Sequence, residues 1–100
     1  MVKFALLVRL KAKEGRELAV ENFITKALPL AIDEPATKTW YALKIDSSTF
    51  GIFDTFEDEA GREAHLGGKI AAALMANAPE LLAEAPVIEK VNVLASKMPK

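Results

Sequence analysis

The chain has no cysteine and a single histidine among its 100 residues. Without cysteine there is no disulfide framework, no thiolate nucleophile and no zinc–thiolate site. One histidine cannot build a His-rich metal centre within one chain. An excess of one charge is also lacking. The 13 basic and 14 acidic residues leave a net charge of −1, and the basic ones are scattered, whereas a nucleic-acid surface needs a clustered basic face. No stretch approaches the roughly 18–20 apolar residues of a membrane span. The first ten residues are too short in their apolar run for a signal peptide, and Arg9 interrupts them. A Gly-rich dinucleotide loop is missing too. Gly67-Gly68-Lys69 lacks the full phosphate-loop spacing and the Ser/Thr that follows its lysine. These absences lead to the expectation of a soluble, cytoplasmic protein with no nucleic-acid or membrane partner, purified without haem, flavin or metal.

What is present is apolar surface, at 51% hydrophobic residues. A chain of this length makes one domain, spanning residues 1–100, and buries only about two-thirds of the surface its unfolded form exposes. Apolar residues beyond what one small core can hide point to a partner, most simply a second copy of the same chain.

The pattern along the chain gives the elements. Residues 3–11 read as a strand, with Phe4, Leu6, Val8 and Leu10 on one face and Ala5, Leu7 and Arg9 on the other. Val20, Phe23, Ile24, Ala27, Leu28 and Ala31 form the buried stripe of a helix over 16–31, which Pro29 should kink or break near its end. Residues 38–46 and 49–55 read as two strands joined by the turn former Asp46-Ser47-Ser48, hence an antiparallel hairpin. Helices follow over 58–66, with acids at its start as the helix dipole favours, and from 69, with a break forced by Pro79. A strand over 87–96 closes the chain. The order β-α-β-β-α-β predicts a ferredoxin-like α+β fold, a four-stranded antiparallel sheet with helices on one face. The other face still carries apolar residues, so two sheets should pack face to face in a homodimer, closing a dimeric α+β barrel.

The strand Phe4-Ala-Leu-Leu-Val-Arg-Leu, the Leu28-Pro-Leu and Glu34-Pro segments before Trp40-Tyr-Ala-Leu, and above all the run from Phe50 to Leu66 resemble the antibiotic biosynthesis monooxygenase family of the dimeric α+β-barrel superfamily. The resemblance covers nearly the whole chain and is more specific for fold than for chemistry. It implies a cofactor-free monooxygenase acting on a small aromatic, such as a quinol or polyphenol, with molecular oxygen. The haem-degrading members of that superfamily carry an asparagine, a tryptophan and a histidine at positions that here hold Val8, His65 and Met75, so haem degradation is not implied.

His65 is the first candidate for chemistry. An imidazole titrates near neutrality and can take a proton from a phenol or hydroquinone, leaving an anion electron-rich enough to reduce oxygen. A histidine that merely caps a helix end is the plainer reading. Trp40 can stack on a planar substrate or donate its indole N–H, or simply pack. Tyr41 points to the opposite sheet face from Trp40, so at most one of them lines a given pocket. Phe53 and Met75 can wall a substrate site or belong to the core, as can Phe50 and Phe56. Arg9 can hold a substrate anion or pair with a carboxylate of a second copy. Two other functions remain open at this point. One is a non-catalytic small-molecule-binding dimer. The other is an isomerase, which needs a second acid/base beside His65; Asp54 is the residue nominated, with a salt bridge to a neighbouring strand as its structural alternative.

Overall fold

Alternation in the first strand decides which side of the sheet the helices cover. In β1 (Phe4–Lys11), Leu6, Val8 and Leu10 are buried. They stand opposite Asp54, Ile52 and Phe50 of β3 (Thr49–Phe56), so these six side chains share one face. The computed structural model describes residues 2–99. Two further strands are β2 (Thr37–Lys44) and β4 (Val87–Asn92). The four form one sheet in the order β2-β3-β1-β4, with every pairing antiparallel. The helices are α1 (Glu17–Lys26), α2 (Leu28–Ile32), α3 (Glu59–Leu66) and α4 (Lys69–Leu81). They pack on the Leu6–Phe50 face, where Val20, Ile24, Leu74 and Leu82 close the main core. A smaller cluster of Ala27, Ala31 and Ile70 lies beside it, and Trp40 packs against both. This is the expected ferredoxin-like α+β arrangement. Among the described residues no helix is long and apolar enough to cross a membrane.

Five local expectations are corrected. The helix expected over 16–31 is two helices, broken at Ala27 rather than at the proline. Pro29 has no N–H to donate to the carbonyl four residues back, and its ring would collide with that carbonyl. The chain turns before it instead and restarts with Pro29 in the first turn of α2, where no N–H is needed. Leu28, expected on the buried stripe, is thereby left exposed. Pro79 does not break α4, which runs on to Leu81. The proline falls in the last turn, so little helix remains to be disrupted, and the Leu82 N–H still bonds the Ala78 carbonyl at 2.9 Å. The last strand is six residues long and does not reach 96. Its Asn92 already pairs with Phe4, the first residue of β1, so the template ends there. Leu94, expected to be an apolar strand residue, is 93% exposed.

α3 begins as its acidic start implies. Asp58 has extended backbone at the N-cap, and its Oδ1 accepts the Gly61 N–H at 2.8 Å. This satisfies one of the four N–H groups that a helix start leaves without partners. Asp58→Ala should cost about 1 kcal/mol of stability, read as a lower urea midpoint at unchanged m-value; an unchanged midpoint would show that the cap contributes nothing.

Candidate functional site

Asp54 is the polar residue in a row of apolar ones. It shares the helix-covered face of β3 with Phe50, Ile52 and Phe56, and its exposure is 0%. A carboxylate there needs a countercharge, and α3 supplies it. The helix lies over the end of the sheet so that His65 comes down onto this face, its ring tilted against Phe56 with centroids 5.5 Å apart. His65 Nε2 is 2.8 Å from Asp54 Oδ2. The distance would suit a hydrogen bond, but the ring N–H is not lined up with the oxygen. Among the described residues neither Asp54 oxygen accepts an aligned hydrogen bond, so the contact is a charge contact.

The other ring nitrogen meets a second carboxylate. The segment after α2 carries Glu34, whose Oε1 accepts from His65 Nδ1 at 2.5 Å and from the Thr37 hydroxyl at 2.8 Å. The imidazole thus stands between two carboxylates from different elements. Burial by itself would lower its pKa; Asp54 first, and then Glu34, more than offset that and hold it above the ordinary 6.5. The charged imidazolium, an N–H at each nitrogen, is the form that this environment selects. Glu34, His65 and Asp54 do not form a metal site. Each carboxylate takes a different ring nitrogen, so the three cannot converge on one ion, and among the described residues no group of three or more such side chains can hold one.

Above this trio lies a pocket of about 330 Å³. Its walls are mostly apolar, from Leu30, Pro35, Ala36 and Ala64, with Glu34, Thr37 and His65 on one side and Lys69 at the start of α4. Two glycines set its dimensions. A Cβ on Gly61 would come 3.3 Å from the Ala36 side chain, and one on Gly68 would come 3.1 Å from Glu34 Oε2.

The other residues singled out in the sequence are elsewhere. Trp40 faces the helices, opposite Asp54 in the β2–β3 register. It lines a different cavity of about 320 Å³ with Leu28, Ala31, Ile32 and Thr37. Its indole N–H is buried without a partner among the described residues. Tyr41 and Phe53 oppose each other on the uncovered sheet face, away from the pocket, and Tyr41 is exposed. Arg9 is on the same uncovered face, opposite Gly51. Met75 is exposed on α4 and borders a third hollow with Ala78, Pro79 and Leu82. None of these five lines the His65 pocket. The alternative weighed for Asp54, a salt bridge to a neighbouring strand, is replaced by a contact to a helix. Glu34 was not anticipated as a site residue. The Glu34-Pro segment was visible, but an acid before a proline after a helix is also an ordinary stop signal, and nothing local connects it to a ring 31 positions away.

Comparison with known proteins relates the chain, though not the site itself, to solved structures. No protein-family model and no curated protein sequence matches the chain. A solved structure of a protein of unknown function from Nitrosomonas europaea is 60% identical, covers 100% of this chain and 97% of its own, and superposes with a TM-score of 0.97. The chain belongs to the same family as that protein. A "putative antibiotic biosynthesis monooxygenase" from the same organism matches at 15% identity over 92% of this chain and 90% of its own, with a TM-score of 0.80. Another so described, from Caulobacter crescentus, matches at 16% identity over 94% and 92%, with a TM-score of 0.78. At these identities the likeness is one of fold alone, the ferredoxin-like α+β fold that this chain shares with both proteins.

The trio makes stability depend on pH in a stated direction. A histidine whose pKa is raised by folding contributes stability in full below the unfolded value, about 6.5. That contribution is lost as pH rises through the folded value. Urea midpoints should therefore fall on going from pH 6 to alkaline pH, and His65→Gln should flatten the decline. At pH 6 the same substitution should cost about 3–5 kcal/mol, the penalty of leaving buried Asp54 without its countercharge. A midpoint that rises with pH over that range would contradict the assignment.

Proposed function

We propose that the chain is a cofactor-independent monooxygenase that takes a small aromatic acid, of quinol or polyphenol type, into the His65 pocket and removes a proton from it. The observation that carries this reading is a linked trio of proton-handling groups, two of which, Glu34 and His65, stand at the wall of a mostly apolar pocket. The description of the two structural neighbours as monooxygenases supports it. The pocket volume, about 330 Å³, is at the lower end of small-molecule sites and suits one ring or a compact pair. Removal of the proton leaves an anion that can pass one electron to dioxygen. Coupling of the two radicals gives a peroxide anion, which takes back the abstracted proton to become a hydroperoxide, and loss of water from it turns a ring C–H carbon into a carbonyl, the second oxygen atom leaving as water. The protein's part is to bind the acid, move the proton and exclude bulk water.

A second reading has its own observation. Asp54 faces the histidine, the arrangement expected of an isomerase that shuttles a proton without oxygen. The two readings share the first step and separate on the second. Oxygen uptake by metal-free protein with a panel of quinols should exceed the rate with buffer alone, with carbonyl product formed in equal amount to the oxygen consumed. Rearranged substrate with no oxygen consumed would favour the isomerase, and neither change would leave a binding protein.

The uncovered sheet face belongs to the same proposal. Leu7, Tyr41, Leu43, Phe53 and Val91 lie on it, at exposed or half-buried positions, and we propose that a second copy of the chain covers them. Light scattering at micromolar concentration should give twice the 10.9 kDa chain mass, and Phe53→Glu should halve it. A wild-type mass of 10.9 kDa would remove the dimer.

A further inference from the structure

We infer that Glu34 is the group that takes the proton from a ligand in the pocket, with His65 and Asp54 as the pair that positions it. The inference rests on the proton-abstraction reading above and assigns its catalytic residue.

His65 is poorly placed to be the base. Both ring nitrogens are in use, Nδ1 on Glu34 Oε1 and Nε2 beside Asp54 Oδ2, so no ring lone pair faces the pocket. To accept a proton the ring would first have to let go of one carboxylate. Letting go of Asp54 would strand a fully buried charge. Glu34 is differently placed. It is the outermost of the three, its side chain 21% exposed against 8% for His65 and 0% for Asp54. Oε1 is held twice, by the Thr37 hydroxyl and by the imidazole. Oε2 takes no hydrogen bond among the described residues and lies toward Gly68, where the missing Cβ leaves the space beside it open. One oxygen is anchored and the other is free at a pocket wall, as a general base requires.

Charge balance favours the same assignment. Before transfer the trio carries two negative charges and one positive. When the ligand's O–H or C–H bond breaks, its proton goes to Glu34 Oε2 and the bonding electrons stay on the ligand. Glu34 becomes a neutral acid. What remains beside the new ligand anion is the His65 imidazolium paired with Asp54, a neutral couple, with the Lys69 ammonium on the pocket rim. The anion is therefore formed where no uncompensated negative charge opposes it. A neutral imidazole acting as base would begin instead between two carboxylates with nothing to balance them.

Two measurements on the intact protein test this, one of them independent of oxygen. Acetylacetone is a small carbon acid whose C–H exchange in D₂O is followed by NMR under anaerobic conditions. Wild-type protein should accelerate the exchange above buffer. Glu34→Gln, whose amide oxygen can still accept from His65, should lower the acceleration about 10²–10⁴-fold, the usual share of a positioned acid–base group. Gly68→Ala, crowding Oε2, should lower it less. Exchange that survives Glu34→Gln, or no acceleration by the wild type, would overturn the assignment. Glu34-dependent exchange in a protein that consumes no oxygen with any quinol would uphold Glu34 and remove the oxygenase reading alone.

Discussion

The structure around the pocket depends on one interaction, a positively charged imidazole held between two carboxylates where little water reaches. Its attachments come from three parts of the chain that share no sequence neighbourhood: β3 through Asp54, α3 through His65, and the segment after α2 through Glu34. A buried ion pair adds little net stability over an apolar replacement, because desolvation takes back most of the Coulombic gain. Losing one member is a different matter. The charge left behind has no water to turn to, and a penalty of about 3–5 kcal/mol is a large share of the stability of a 100-residue domain. The trio is therefore better understood as a device that fixes geometry than as a source of stability. An apolar replacement could hold α3 on the sheet; it could not present a free carboxylate oxygen to the pocket.

The rest of the site follows from that fixed point. Glu34 can reach the ring because Pro29 restarts the helix late and α2 stops at Ile32, which leaves the following segment, with Glu34 in it, free to fold back toward α3. Gly61 lets α3 approach Ala36, and Gly68 leaves Oε2 unobstructed. The Thr37 hydroxyl, at the start of β2, fixes the carboxylate from the outside. Each of these is a local steric or hydrogen-bonding choice, and each would be unremarked in a chain that lacked the trio.

The fold was legible in the sequence because period-two and helical patterns report burial directly, and here burial decides the element. Leu6, Val8 and Leu10 of β1 and the Val20–Ile24 stripe are both core. Element ends were less legible, since they depend on what lies alongside. β4 stops where β1 has no more residues to pair with, a fact that no local pattern in residues 87–96 contains. His65 stood out by being the only titratable ring near neutrality, and Asp54 by being a charge on an apolar strand face. Glu34 was hidden because its role is a contact across 31 residues of chain. Trp40, Tyr41, Phe53, Arg9 and Met75 drew attention by residue type. Residue type does not say which surface a side chain meets, and the sheet and α4 send these five away from the pocket.

The charge on the imidazole is the centre of this account, and ring nitrogen NMR reads it directly. In ¹⁵N-labelled protein at pH 6, both His65 ring nitrogens should resonate at imidazolium values, with a proton on each. They should move to neutral-imidazole values with a midpoint above pH 6.5, and at a lower pH in Glu34→Gln than in the wild type. A midpoint below pH 6.5 would contradict the account, since the two carboxylates would then not hold the charge on the ring.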